Sequence, residues 1–254
     1  MKVYGHRGFA GIAPENTMAS FRKAIEAGVD GIECDVHLSK DGRVVVCHDP
    51  TLERTTSGTG LIKDLDWCEL QRLDAGSWYS QEYTGERIPS FKQLLELLSD
   101  YNISLNVELK TDKVDYVGLE HLVLELLEQH DMVGRSIISS FNFESLVKVK
   151  SLLPGMTTAA LYKNMEDVDD FWNTMGSIGV SKLHPRFREL TSEFVAEARQ
   201  RGYVVNVWVP NEPSEIEHVI ALGVDGLITN YPDRARSMLD ACNCNCGSAG
   251  GGLR

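Results

Sequence analysis

FKQLLELLSDYNISLNVELK, residues 91–110, changes its hydrophobic period halfway along. Phe91, Leu94, Leu95 and Leu98 recur at the spacing of one helix face. Ile103 to Leu109 then reads as a strand, with Val107 and Leu109 facing one way and Glu108 and Lys110 the other. This alternation of helix and strand repeats in both directions. Upstream, residues 2–6 read as a strand, and Met18, Phe21 and Ile25 form a helix face behind an expected N-cap at Asn16. Gly31 to Val36 is a second strand. After a turn over residues 38–43, Val44 to Cys47 is expected to fold back on it as a hairpin arm. Downstream, Leu119, Leu122, Val123, Leu126 and Leu127 mark a helix. Strands are expected at 136–139, 157–161, 180–184, 203–209 and 225–229, followed by helices near 143–152, 166–175, 191–201, 213–221 and 232–240. With the hairpin arm set aside there are eight βα units, which predict a closed α/β barrel, the TIM (β/α)8 fold. An open doubly wound sheet is the second choice. The first βα turn lacks the GxGxxG of a dinucleotide fold, and there is no P-loop.

Residues 49–89 break the pattern. They are rich in Thr, Gly, Asp and aromatics, and are expected to form a small insertion with short helices after the second barrel strand. The reading is one barrel domain over residues 1–240 and a flexible Cys/Gly-rich tail over 241–254. Cys242, Cys244 and Cys246 in that tail offer three thiols, one short of a closed zinc site, and no function is assigned to them.

The 254 residues are 43% hydrophobic and 24% charged, which excludes a disordered or fibrous chain. Net charge is −12, with 25 basic against 37 acidic residues, so no nucleic-acid partner is expected. Apolar runs are too short to span a bilayer, the N-terminus MKVYGHRG has no signal-peptide character, and stable membrane insertion is not expected. The cysteines show no paired spacing, which favours a reducing compartment; a cytoplasmic protein is expected.

Polar residues on buried strands carry the chemistry. Barrel strands are covered on both faces, so acids within them are anomalies. Glu33 and Asp35 share one face of GIECDV, and Glu108 lies on the next barrel strand. All three fall near the C-terminal strand ends, where barrel active sites are built. Such a cluster raises its own pKa values unless a cation compensates, and an oxygen-only set suits a hard divalent ion. The alternative is an ion-pair network with Lys110 and Arg7. His6 and His48 each end a strand beside these acids and form a candidate general base and general acid. Arg7 offers a fork for phosphate and Lys110 a point charge. The set describes metal-assisted phosphoryl transfer from a diester.

HRG (6–8), PENT (14–17), ECDV (33–36), HDP (48–50), ELK (108–110) and TNYP (229–232) stand in this order along residues 2 to about 239. In sequence and spacing they resemble the glycerophosphodiester phosphodiesterase family. The resemblance implies a TIM barrel with an insertion after the HD motif. It also implies one divalent cation (Mg²⁺, Ca²⁺ or Mn²⁺) on Glu33, Asp35 and Glu108, with His6 and His48 as the acid/base pair. The implied reaction turns a glycerophosphodiester and water into sn-glycerol 3-phosphate and an alcohol. His6 is assigned as base and His48 as acid. Attack by water or by the glycerol 2-hydroxyl, through a cyclic phosphate, are both left open.

Other substrate contacts are expected from Trp208 and Phe141 as apolar walls, from His184 on the sixth barrel strand, and from Glu15 in the first βα loop. No residue in the sequence is singled out to read the alcohol headgroup. Two further readings stand beside this one. A lysophospholipase D-like barrel acting on lipids needs an apolar interfacial surface, and no basic amphipathic segment is present. A non-catalytic binding barrel would not need the five chemical positions intact. Oligomeric state is left open, with the insertion as the candidate contact surface.

Overall fold

The computed structural model describes residues 1–247. Its strands are β1 (Lys2–Gly5), β2 (Gly31–Leu38), β3 (Val44–Val46), β4 (Ser104–Leu109), β5 (Ser136–Ser140), β6 (Thr158–Tyr162), β7 (Lys182–Pro185), β8 (Val204–Trp208) and β9 (Gly226–Thr229). All except β3 run parallel, and β1 pairs with both β2 and β9, so eight strands close into a barrel. The hairpin arm β3 lies antiparallel on the end of β2, pairing Val36 with Val46 and Leu38 with Val44. β2 is long enough to serve both neighbours: its first six residues pair with β4 and its last three with β3.

Helices α1 (Met18–Glu26), α2 (Trp67–Leu70), α3 (Phe91–Leu98), α4 (Leu119–Gln129), α5 (Phe143–Leu152), α6 (Phe171–Ile178), α7 (Ser192–Gln200), α8 (Pro213–Leu222) and α9 (Pro232–Gly247) complete the described residues. Local chemistry sets several starts. Ser90 and Gln93 form a reciprocal capping box on α3, Asn142 caps α5, and Thr191 caps α7. Apolar stripes of these helices, such as Phe91, Leu94, Leu95 and Leu98, pack on the outward strand residues Ile32, Cys34, Val107 and Leu109 to form the main core. Inside the barrel a smaller cluster of Tyr4, Ile137, Ala159 and Ile228, with Trp208 against it, forms an apolar floor.

Some boundaries shift, as where the helix expected near 166–175 is α6 at Phe171–Ile178, and two departures change a reading. Thr17, not Asn16, caps α1: its hydroxyl accepts the Ser20 amide, while Asn16 takes a left-handed φ of 57° and turns its side chain inward. The expected tail boundary at 241 falls inside α9, which continues to Gly247; residues 248–254 of that expected tail lie outside the described residues.

Residues 49–89 pack on the barrel as expected of an insertion. Leu52, Ile62, Leu70, Ala75 and Ile88 form a satellite core with Val45 and Cys47 of the hairpin arm. The segment is tied down at its end, where Val46 N donates to Pro89 O at 2.9 Å. Tyr79 and Tyr83 hydroxyls donate to the carbonyls of Gly11 and Ile12, each at 2.9 Å. The insertion thus braces the first βα loop, which carries part of the site. No helix among the described residues is long and apolar enough to cross a membrane.

Candidate active site

The register of β2 against β4 pairs Glu33 with Asn106 and Asp35 with Glu108. Period-two alternation turns all four into the barrel. One carboxylate oxygen from each of Glu33, Asp35 and Glu108 lies within 4.8 Å of the others, and all three residues are buried. Burial pushes the Glu33 carboxyl well above the ordinary carboxylate range, and the charges of Asp35 and Glu108 push it the same way. Burial also raises Glu108, to about 7, with Lys110 opposing and Asp35 assisting. Burial acts on Asp35 as well, but Lys110 and Arg7 outweigh it and hold that carboxyl far down. Asp35 Oδ1 lies 3.0 Å from Lys110 Nζ yet is a buried oxygen without an aligned hydrogen bond among the described residues. Three buried carboxylates with one such oxygen fit a hard divalent cation, by charge and by donor type.

The turn after β1 is built to bring a cation and an imidazole to these acids. Arg7 sits at φ 53°, a conformation costly for a residue with a side chain. Gly8 follows at φ 84°, where a Cβ would stand 2.2 Å from Ser20 Oγ. That close approach lets Ser20 Oγ donate to Arg7 O at 2.6 Å and lock the turn against α1. Arg7 N then donates to Glu33 Oε2 at 2.8 Å, and Nη1 donates to Glu15 Oε1 at 2.7 Å. Its Nε lies 3.4 Å from Asp35 Oδ2 and makes no aligned hydrogen bond among the described residues. Asn16 Nδ2 donates to Asp35 Oδ2 at 2.8 Å, so the misread cap is a holder of the acid cluster.

Each candidate catalytic histidine has its Nδ1 against an oxygen. His6 Nδ1 is 2.7 Å from Asn230 Oδ1, and His6 Nε2 is 3.9 Å from Glu33 Oε2. Asn230 is itself fixed by Asn211, whose Oδ1 accepts the Asn230 amide at 3.0 Å. His48 Nδ1 is 2.6 Å from Asp49 Oδ1. An acceptor at Nδ1 places the ring proton there and leaves Nε2 to exchange protons. Burial lowers both imidazoles. His6 falls to about 3, with adjacent Arg7 adding to burial; for His48, Asp35 and then Asp49 pull back in the other direction.

Two connected cavities open at this end of the barrel. The inner one, about 120 Å³, is lined by His6, Arg7, Glu33, His48, Glu108 and Lys110 on its polar side and by Phe141, Leu161, Trp208, Val209 and Ile228 on its apolar side. The outer one, about 310 Å³, shares His48, Lys110, Phe141 and Trp208 with it and adds His37, Pro50, Asp112, Lys113 and Lys163.

Eight of the eleven residues singled out from the sequence line the inner cavity, and Asp35 lies behind them, paired with Arg7 at 3.4 Å and Lys110 at 3.0 Å. Glu15 stands one bond away, on Arg7. His184 does not reach either cavity. It is fully buried, with Nε2 accepting from Asn206 Nδ2 at 3.1 Å, and burial drives it down to about 3. Its carbonyl instead accepts Trp208 Nε1 at 2.8 Å and so fixes the tryptophan that does line the cavity. Asp49, Arg54, Asn230 and His37 were not singled out. His37 shares the face of Glu33 and Asp35; its ring bridges Tyr116 Oη at 2.9 Å and the His48 carbonyl at 3.1 Å.

A sequence model described as the glycerophosphoryl diester phosphodiesterase family matches residues 6–234. The chain belongs to that family. Its class is therefore that of the phosphoric diester hydrolases. It is 37% identical to a glycerophosphodiester phosphodiesterase of Caldanaerobacter subterraneus, over 91% of this chain and 94% of that protein. Among solved structures it is similar to an Oleispira antarctica phosphodiesterase in complex with the product sn-glycerol-3-phosphate. Identity there is 34% and the TM-score 0.87, covering 94% of this chain and 97% of the other. A glycerophosphodiester phosphodiesterase from Thermotoga maritima matches with 30% identity and a TM-score of 0.75, covering 94% and 98%. Of the six sequence motifs, HRG, ECDV, HDP and ELK supply residues that line the inner cavity.

Proposed function

We propose that this chain hydrolyses glycerophosphodiesters to sn-glycerol 3-phosphate and an alcohol, using one divalent cation and a histidine pair. The observation that carries the reading is the convergence of three carboxylate oxygens within 4.8 Å beside two imidazoles that line the same cavity and have Nδ1 engaged by another side chain. Glu33, Asp35 and Glu108 would hold the cation, Mg²⁺, Ca²⁺ or Mn²⁺, through oxygen alone. When bound, such an ion acts as a Lewis acid on the phosphoryl group and offsets charge developing there.

The chain's own residues do the rest. Arg7 lines the inner cavity and supplies a fixed positive charge for the phosphate, while Asp35 beside Nε and Glu15 on Nη1 keep the fork oriented. Lys110 adds a second fixed positive charge. His6 is neutral and, with Nδ1 occupied by an amide oxygen, accepts the proton of the attacking hydroxyl at Nε2. His48 has a carboxylate at Nδ1, which opposes the lowering by burial and stabilises the imidazolium, and it gives its Nε2 proton to the departing alkoxide. Leu161, Trp208 and Ile228 exclude water from the apolar side, where the glycerol carbons would lie.

The test is release of sn-glycerol 3-phosphate from glycerophosphocholine by the purified protein supplied with Mg²⁺, Ca²⁺ or Mn²⁺. Turnover that needs the ion and yields that product supports the reading. No turnover with any of the three overturns it.

A further inference from the structure

The outer cavity carries charge that the proposed chemistry leaves unused. Of its three lysines, Lys110 is paired with Glu108 and Asp35. Lys113, on the loop after β4, and Lys163, on the loop after β6, have no ion pair or hydrogen bond among the described residues. The carboxylate on this wall is Asp112, so the two lysines outnumber it. His37 and His48 are the remaining titratable groups of the lining, and neither adds a carboxylate to it. A positive rim stands out on a chain whose net charge is −12.

Position gives this charge a target. His48 lines both cavities, whereas His6 lines the inner one. If His48 protonates the leaving oxygen, the alcohol must lie on the His48 side and project into the outer cavity. At about 310 Å³ that space holds a group of several heavy atoms. We infer that the outer cavity is the leaving-alcohol subsite, and that Lys113 and Lys163 select alcohols bearing a second anionic group, such as another phosphodiester, over cationic ones. The inference rests on the reading of the inner site as a glycerophosphodiester hydrolase. Both lysines are exposed, so each contributes only about a threefold preference, and the two together about tenfold. An exposed origin also makes the preference fade as salt rises.

The experiment compares kcat/KM on two substrates with the same glycerophosphoryl half. One is bis(glycerophospho)glycerol, whose leaving alcohol carries a phosphodiester; the other is glycerophosphocholine, whose leaving alcohol is a cation. The unaltered enzyme should prefer the first by about tenfold at low salt. The Lys113→Gln/Lys163→Gln double variant should lose that ratio, and Lys113→Glu/Lys163→Glu should reverse it. Equal efficiency on both substrates in the unaltered enzyme, or an unchanged ratio in the variants, overturns the inference while leaving the hydrolase reading in place. Failure to cleave either substrate overturns both.

Discussion

Asp49 Oδ1 stands 2.6 Å from Nδ1 of His48, and the other oxygen of that carboxylate receives Nε of Arg54 at 2.5 Å. The same guanidinium gives its remaining donors to Glu15, at 2.9 and 2.7 Å, and Glu15 in turn holds Arg7. One residue of the insertion therefore steadies both the imidazole assigned to the leaving group and the arginine assigned to the phosphate. A bidentate arginine is suited to this, since its fork fixes direction as well as charge.

Replacing Asp49 by Asn presents His48 Nδ1 with a group that can donate, and so disturbs the tautomer. Asp49→Asn should cut kcat on glycerophosphocholine by about 10²–10⁴-fold, the worth of a positioned acid. A diester leaving as p-nitrophenolate needs no protonation and should be cleaved with a far smaller loss. Equal losses on the two substrates would show that His48 is not the acid. Arg54→Ala should cost about 10–100-fold, as expected of a residue acting through others, and should raise KM as well as lower kcat because Arg7 is loosened too. A change in kcat alone would restrict its influence to His48.

Cation binding should be visible without turnover. The carboxylate cluster is self-repelling, so an ion that binds it stabilises the folded chain by about 2.7 kcal/mol at a hundred times its Kd. Mg²⁺, Ca²⁺ or Mn²⁺ should raise Tm, EDTA should reverse the rise, and Glu33→Gln should abolish it. A Tm indifferent to all three ions would refute the assignment of these acids. His6→Ala should keep the Tm response while losing about 10²–10⁴-fold in kcat.

The raised Glu108 pKa fixes the sign of a pH effect in the metal-free protein. Glu108 moves from 4.5 to about 7 on folding, chiefly by burial. Between those values the folded chain holds a proton that the unfolded chain has released, so stability falls as pH rises across that window. The Glu108→Gln variant lacks this titration. Its stability relative to the parent should therefore increase from pH 5 to pH 8, read by urea unfolding in EDTA. A difference that stays flat with pH would mean Glu108 is ionised throughout.

How much of this was legible beforehand depended on distance along the chain. Strand faces are a local property, so the period of GIECDV and NVELK was enough to place Glu33, Asp35, Glu108 and Lys110 on the barrel interior. Helix faces were legible for the same reason. Asn16 was read as a cap because its neighbours suggest one; its actual partner is Asp35, 19 residues away. Asn230 is 224 residues from the His6 it orients, and Arg54 is 39 from Glu15, distances at which no periodicity speaks. His37 did have a signal, since it continues the alternation of Glu33 and Asp35. His184 had the same kind of signal, yet it lines neither cavity: its ring is buried and bonded to Asn206 on the neighbouring strand, and only its carbonyl bears on the site, through Trp208. Lys113 and Lys163 lie on separate loops, and only the closed barrel brings them to one wall.

Recognition of the glycerol half should rest on Trp208. Its indole is pinned by the bond to His184 O at 2.8 Å and packs edge-on against Phe141, with ring centroids 5.8 Å apart. A wall fixed on two sides can position a three-carbon unit, and that positioning is felt at the reacting phosphorus. Trp208→Ala should lower kcat/KM on glycerophosphocholine by about tenfold or more, at least ~1.4 kcal/mol of transition-state stabilisation. Bis(p-nitrophenyl) phosphate has no glycerol to lose contact with, so its kcat/KM should change less. Trp208→Phe keeps an aromatic face but forfeits the bond to His184 O, and should fall between the two. The quantity to measure is the ratio of kcat/KM on the two diesters in each variant. Parallel losses on both would move the glycerol away from Trp208 and leave the tryptophan as a support of the barrel mouth alone.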